Sequence, residues 1–192
     1  MIAIPGPPPP DQAAADSTTS AFEALYTSVG PDLLAYALRR AATREAAVDV
    51  VAETFLAAWR RRVDLPSDAT AQRPWLFGIA RHCLANSARG DRRASSLGQR
   101  LAAGLDVAAL PDPARVLEGR EDAALVRAAL DQLSPDDREL VTLTAWDGLT
   151  PAQAAAALGL TPGNARVRLH RARARLSAAL TPVTPEEPSR DH

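Results

Sequence analysis

The 192-residue chain contains no lysine, so all 22 of its permanently cationic side chains are arginine. It has one cysteine, Cys83, and three scattered histidines, which excludes an internal disulfide and gives no metal-ligand spacing. Only 4% of the residues are aromatic and strand formers are scarce. No apolar run approaches the roughly 20 residues of a membrane span, so no membrane insertion is expected. The opening residues, Met1 to Pro10, have neither a basic n-region nor an apolar h-segment, which argues against secretion and for a cytoplasmic protein. Disulfide scaffolds, membrane proteins and zinc fingers are excluded together. What the chain does have is 46% hydrophobic content, much of it alanine, with abundant Leu, Arg and Glu. That composition predicts an all-α fold, and the length suits one or two domains.

The net charge of −1 conceals a pattern. Residues 1–38 carry four acids and no base, whereas residues 39–100 carry twelve arginines against six acids. Residues 101–161 reverse to four arginines against ten acids. Residues 162–180 then hold five arginines and no acid, and the tail 181–192 is net −2. Two basic blocks separated by an acidic stretch suggest two places that meet a polyanion. Solvated helix faces explain most charge clusters, but they explain a 19-residue acid-free segment less well.

Proline and glycine crowd the first ten positions, so residues 1–19 read as a disordered N-terminal tail. Order is expected near Ser20, where Ser20 and Glu23 have capping-box spacing. Phe22, Leu25, Tyr26 and Val29 share one helical face. Gly30-Pro31 reads as a break that starts a second helix with Leu33, Leu34, Ala37 and Leu38 as its stripe. Thr43 can cap a third helix to about Arg61, in which Val48, Val51, Ala52, Phe55 and Trp59 step toward a core. Residues 62–72 read as a loop, and Pro74 is expected to open a fourth helix. A first helical domain at 20–93, a flexible linker at 94–118 and a second domain at 119–180 follow, with a disordered tail at 181–192.

The second domain has clear punctuation. Ser134-Pro135, Thr150-Pro151 and Thr161-Pro162 each pair a hydroxyl N-cap with proline at the first helical position. Thr150 and Gln153 complete a capping box, and Gly148 and Gly159 end the helices before them. A helix from about Glu118 to Gln132 precedes this set. A short helix at 151–158, a tight turn and a basic helix from 162 form a helix-turn-helix. In the basic helix, Ala165, Leu169, Ala172 and Leu176 build the buried stripe. The opposite face is centred on Asn164, Val167 and Arg171, with Arg168, His170 and Arg175 flanking it. Asparagine can pair with adenine, arginine can grip guanine and valine can touch a thymine methyl in the major groove. The flanking cations suit phosphates. An ordinary helical hairpin with a basic outer face is the bland alternative.

These motifs resemble the extracytoplasmic-function sigma factors, the small two-domain branch of the sigma-70 family of bacterial RNA polymerase specificity subunits. Ala47-Val-Asp-Val-Val-Ala-Glu-Thr-Phe-Leu-Ala-Ala-Trp-Arg60 is similar to the family's region 2.2. Arg73-Pro-Trp-Leu-Phe-Gly-Ile-Ala-Arg81 resembles the start of the segment that meets the promoter −10 element. Leu133-Ser-Pro-Asp-Asp-Arg-Glu-Leu140 and Gly163-Asn-Ala-Arg-Val-Arg-Leu-His-Arg-Ala-Arg-Ala-Arg-Leu176 resemble region 4, which reads the −35 element. The resemblance covers about 20–93 and 120–178.

It implies core RNA polymerase and promoter DNA as partners, with an anti-sigma protein as a further one. Asp49, Glu53 and Arg60 would contact polymerase. The loop 62–73 would capture a flipped base of the melted −10 strand, with Trp75 as a stacking platform. Arg81, Asn86, Arg89, Arg92 and Arg93 would track the single strand. Asn164, Arg166, Val167, Arg168, His170, Arg171 and Arg175 would meet the −35 duplex. Many relatives have glutamine where Ala52 stands, asparagine at His82, aspartate at Asn86 and Lys-Ser at Arg166-Val167. No nucleotide-binding loop or catalytic triad is present, so a non-enzymatic factor without a cofactor is expected. A stand-alone helix-turn-helix regulator leaves the first domain unexplained. A sigma-like module that only binds a regulatory partner is the other rival. His82 and Cys83 are neighbours that do not face the same way, which makes a metal or redox pair a poor reading.

Overall fold

A computed structural model of the protein describes residues 10–88 and 121–181. Among these residues all regular structure is helical, as the composition predicts. The helices group into two compact units. The first holds α1 (Pro10–Leu38), α2 (Arg44–Arg60), a single 3-10 turn (Arg62–Asp64) and α3 (Ala69–Ala88). The second holds α4 (Glu121–Asp131), α5 (Pro135–Ala145), α6 (Pro151–Ala157) and α7 (Pro162–Leu180). The expected linker, 94–118, and residues 182–192 of the expected tail lie outside the described residues.

The N-terminal expectations need correction. The first helix begins at Pro10, so residues 10–19 are helical and Ser20 lies inside a helix rather than capping one. It also runs through Gly30-Pro31 as one 29-residue element. Proline removes one backbone donor and crowds the residue before it. Here the preceding residue is glycine, with no Cβ to clash, and Thr27, whose carbonyl loses its i+4 donor, is exposed to water. The apolar stripe stays in phase across the proline: Leu25, Val29, Leu33, Tyr36 and Ala37 are all buried.

Helix α2 starts where Thr43 accepts a hydrogen bond from the Ala46 amide at 3.1 Å. It packs against both α1 and α3. Its buried face is Ala47, Val50, Val51, Ala52, Thr54, Phe55, Leu56 and Ala58, whereas Val48 and Trp59, expected in the core, are half-buried. Phe55 is fully buried between Phe22 and Tyr26, whose ring centroids lie 6.0 and 4.7 Å away in edge-on contacts. Such pairs add roughly 0.5–1.5 kcal/mol each beyond area burial. Seven of the chain's eight aromatic residues fall in this unit, which explains how so few suffice for one core.

Helix α3 opens at Ala69, a turn before Pro74, so the predicted start is corrected. Asp68 supplies the cap: its carboxylate takes the Thr70 amide at 2.9 Å and the Thr70 hydroxyl at 2.6 Å. Those bonds hold the Asp68 carboxyl below its ordinary range. Arg73 then ties α3 to Asp32 of α1 at 2.9 Å.

In the second unit each predicted cap is in place. Ser134, Thr150 and Thr161 accept the amides of Asp137, Gln153 and Asn164 at 3.2, 3.2 and 3.3 Å, with proline next in the chain each time. Gln153 returns the Thr150 amide bond at 3.0 Å, completing the capping box. Gly148 and Gly159 have φ of 65° and 67°, the left-handed region where a side chain is strained. After α6, the Leu160 amide bonds to the Ala155 carbonyl at 2.8 Å and the Gly159 amide to Ala156 at 3.2 Å. This paired closure ends α6 sharply and launches α7 four residues later. Buried Ala154, Ala155, Ala165 and Ala172 let the two helices approach closely around Leu169.

Candidate nucleic-acid interface

Helix α7 presents the face that its periodicity predicts. Ala165, Leu169 and Ala172 are buried and Leu176 is half-buried, while Asn164, Arg166, Val167, His170, Arg171 and Arg175 are exposed. Val167 is 49% exposed, a large apolar side chain held in solvent among cations. That combination suits a base edge carrying a methyl group better than it suits an isolated helix surface.

Arg168 departs from the prediction. It is half-buried, and its guanidinium reaches back to α5, with Nε 2.6 Å from the Asp137 carboxylate and a second nitrogen 3.8 Å from Asp136. It joins two helices instead of flanking a free face. Burial works against the charged form of Asp137, but hydrogen bonds from Arg168 and Ser134 and the charges of Arg168 and Arg175 outweigh it. The Asp137 carboxyl is therefore held below the usual carboxylate range.

The two flanks of α7 consequently differ. Toward α5, Arg168 and Arg175 lie near Asp136 and Asp137, so their charge is largely compensated. Toward α6, an open groove is lined by Thr150, Pro151, Arg166, Leu169, His170 and Arg173. Among the described residues, Arg166, His170 and Arg173 form no ion pair. Arg173 was missed by the sequence reading, although its spacing of three from His170 and seven from Arg166 places all three on one flank.

In the first unit, Asp49 and Arg60 are exposed on α2 and Glu53 is half-buried. They fall within about 40° of one another around the helix axis, so the structure brings them to one face. Ala52, where relatives often carry glutamine, is buried. The 3-10 turn carries Val63 at 88% exposure beside Arg61 and Arg62. Arg62 lies over the Trp59 ring, 5.1 Å from its centroid, and Arg61 lies 5.9 Å from that of Trp75. Trp75 is half-buried, so one part of its ring packs and another meets solvent. These two arginines were not singled out from sequence, though Trp59 and Arg62 stand three apart, the spacing that stacks neighbours on a helix. Arg81 is half-buried and Asn86 exposed on α3. Arg89, Arg92 and Arg93 lie outside the described residues. Burial pushes the Cys83 thiol up, partly opposed by the Thr54 hydroxyl and reinforced by Glu53, which makes it a poor nucleophile. His82 is exposed next to it.

Two helical units, one carrying a helix-turn-helix with an acid-free basic second helix, define a DNA-reading protein of two parts. Comparison with known proteins narrows the class. The model of Sigma-70 region 2 matches residues 25–94, and that of Sigma-70 region 4 matches residues 123–176. The chain is 32% identical over 157 residues to the ECF RNA polymerase sigma factor SigL of Mycobacterium tuberculosis, covering 82% of this chain and 87% of SigL. It is 36% identical over 174 residues to the RNA polymerase sigma factor CnrH of Cupriavidus metallidurans, covering 87% and 90%. Among solved structures, CnrH in complex with the cytosolic domain of CnrY aligns with a TM-score of 0.58 at 30% identity, covering 87% of this chain and 94% of that one. The sigma factor RpoE with the anti-sigma factor NepR from Bartonella quintana aligns at 0.57 and 27% identity, covering 83% and 96%. The chain belongs to the extracytoplasmic-function branch of the sigma-70 family. It is an RNA polymerase sigma factor, in a family of transcription initiation factors rather than enzymes. Among the described residues no helix is long and apolar enough to cross a membrane.

Proposed function

We propose that the chain binds core RNA polymerase in the cytoplasm and directs it to promoters by reading a −35 element and helping to open the −10 element. The region 2-like part would span 20–93 and the region 4-like part 119–180. The observation that carries the reading is the exposed, acid-free face of α7, with Asn164, Val167 and Arg171 held outward by a buried Ala165–Leu169–Ala172 stripe. An α-helix of this kind fits the major groove, where an arginine gripping guanine contributes roughly 1–3 kcal/mol of discrimination. The Asp49, Glu53 and Arg60 face of α2 is the proposed polymerase contact. The turn around Arg61, Arg62 and Val63, with Trp75 behind it, is the proposed seat of the unpaired −10 strand. Stacking of a base there would offset the cost of extruding it. Arg81 and Asn86 would follow that strand along α3. An anti-sigma protein is proposed as the regulatory partner, because the relative RpoE is seen with NepR.

Run-off transcription with bacterial core polymerase on genomic fragments of the source organism tests this directly. Protein-dependent transcripts from discrete sites are the expected result, and aligning their upstream sequences gives the two elements. Binding to core without transcripts would instead favour a module that only titrates a partner. No binding to core would sink the first-unit assignment.

A further inference from the structure

The two flanks of α7 offer different surfaces to a polyanion, and only one of them is electrostatically open. On the α5 side, Asp136 and Asp137 already occupy Arg168, and their carboxylates would repel a phosphate. On the α6 side, Arg166, His170 and Arg173 line a groove with an apolar floor that includes Leu169 and Ala174. A deoxyribose–phosphate strand has matching chemistry, an apolar sugar edge and an anionic one. The amide of Thr150 is consumed by Gln153, so the positive charge of this groove comes from the α7 side chains rather than from the start of α6. Arg166 and Arg173 stand two turns apart, about 10 Å along the helix, far enough to reach different phosphates.

We infer that one sugar–phosphate strand of the duplex lies in the α6–α7 groove, with Arg166 and Arg173 as phosphate contacts, and that Arg168 makes none. The strand is thereby seated asymmetrically, on the α6 side of the recognition helix, with the Asn164–Val167–Arg171 face turned into the adjoining groove. This assigns Arg173 to the DNA contact surface. It rests on the proposed DNA-reading role of the second unit.

Phosphate contacts are independent of sequence, so the test needs no known promoter. Binding of the full-length chain to a mixed-sequence duplex of about 25 base pairs is measured across a salt series, where each neutralised phosphate contributes about −0.9 to the slope of log affinity against log salt. Arg173→Ala is expected to make the slope shallower by about 0.9, and the Arg166→Ala/Arg173→Ala double variant by about twice that. Arg173→Lys should restore it, because charge rather than fork geometry sets the slope. Arg168→Ala should keep the wild-type slope even where it weakens binding. A steep wild-type slope that Arg173→Ala leaves unchanged would overturn the groove assignment alone, as would loss of slope in Arg168→Ala. A flat wild-type slope would overturn the DNA-reading role itself.

Discussion

Replacing Asp137 with asparagine isolates the tie between α5 and α7. The amide keeps the shape of the side chain and can still accept from Arg168, but the charge is gone. The pair is short, 2.6 Å, and its side chains are 26% and 18% exposed. Exposed ion pairs contribute roughly 0–1 kcal/mol, whereas hydrogen bonds to charged groups contribute about 1.5–3 kcal/mol. A pair at this depth lies between, and the carboxylate near the start of α5 adds several tenths more through the helix dipole. Asp136, 3.8 Å from the same guanidinium, retains part of the attraction. The expected loss is therefore about 1–2 kcal/mol, a factor of roughly 5–30 in a local opening equilibrium. Amide hydrogen exchange of peptides from α5 and α7 in the full chain reads this, with protection falling by that factor while α2 and α3 stay unchanged. A double-variant cycle with Arg168→Ala should show the two losses overlapping by about 1 kcal/mol or more. Fully additive losses would refute the coupling.

The same pair has a pH signature with a definite sign. The Asp137 carboxyl is held below its unfolded value, so its stabilisation is present above about pH 4 and is lost as pH falls through the lowered folded value. Asp137→Asn lacks that stabilisation at every pH. The gap in protection between wild type and variant should thus be full at neutral pH and close in strong acid. A gap that persists after the carboxyl has protonated would show that the loss came from packing.

Four other changes test the framework. Gly159→Ala should cost about 1–2 kcal/mol, from left-handed backbone strain alone, because a Cβ there meets nothing within 4 Å; protection of α6 amides measures it, and Gly159→Asn should cost less. Thr161→Ala removes the α7 cap and should lower α7 protection by about 1 kcal/mol with little change in α5. Phe55→Ala empties the centre of the first unit and should cost about 3–5 kcal/mol, read by urea unfolding; a loss near 1 kcal/mol would mean that the aromatic cluster is loosely packed. Arg168→Lys should recover well under half of the Arg168→Ala loss, since an ammonium lacks the fork that reaches Asp136 and Asp137 together.

Local chemistry made the second unit legible. Hydroxyl–proline pairs and glycines act within four residues, so Ser134, Thr150, Thr161, Gly148 and Gly159 do in the structure what their neighbours in sequence require. The first unit was less legible where a local rule competed with packing. Gly30-Pro31 looks like a boundary, but the stripe from Leu25 to Ala37 keeps a single helical phase across it, and burial of that stripe offsets one lost backbone bond. The start of α3 was missed for the opposite reason: Asp68 caps through its carboxylate, a signal weaker in sequence than the proline that follows it. In α2 the expected stripe was rotated slightly, because burial against both α1 and α3 draws Val50, Thr54 and Leu56 inward and leaves Val48 half out.

Arg168 shows why a helical wheel cannot assign DNA contacts by itself. Angular position says which side of α7 a residue occupies, but not whether a carboxylate from another helix waits there. Asp136 and Asp137 sit next to the Ser134 cap because acids favour the first turn of any helix. Once α5 packs against α7, that ordinary capping preference becomes an intramolecular competitor for phosphate. Five arginines in an acid-free segment therefore do not supply five equivalent contacts. The acids of α5 subtract from one flank, and what remains open is the outward face and the α6 side. With no lysine in the chain, every cation carries the same fork, so burial and partners decide which arginines hold the fold and which remain for DNA.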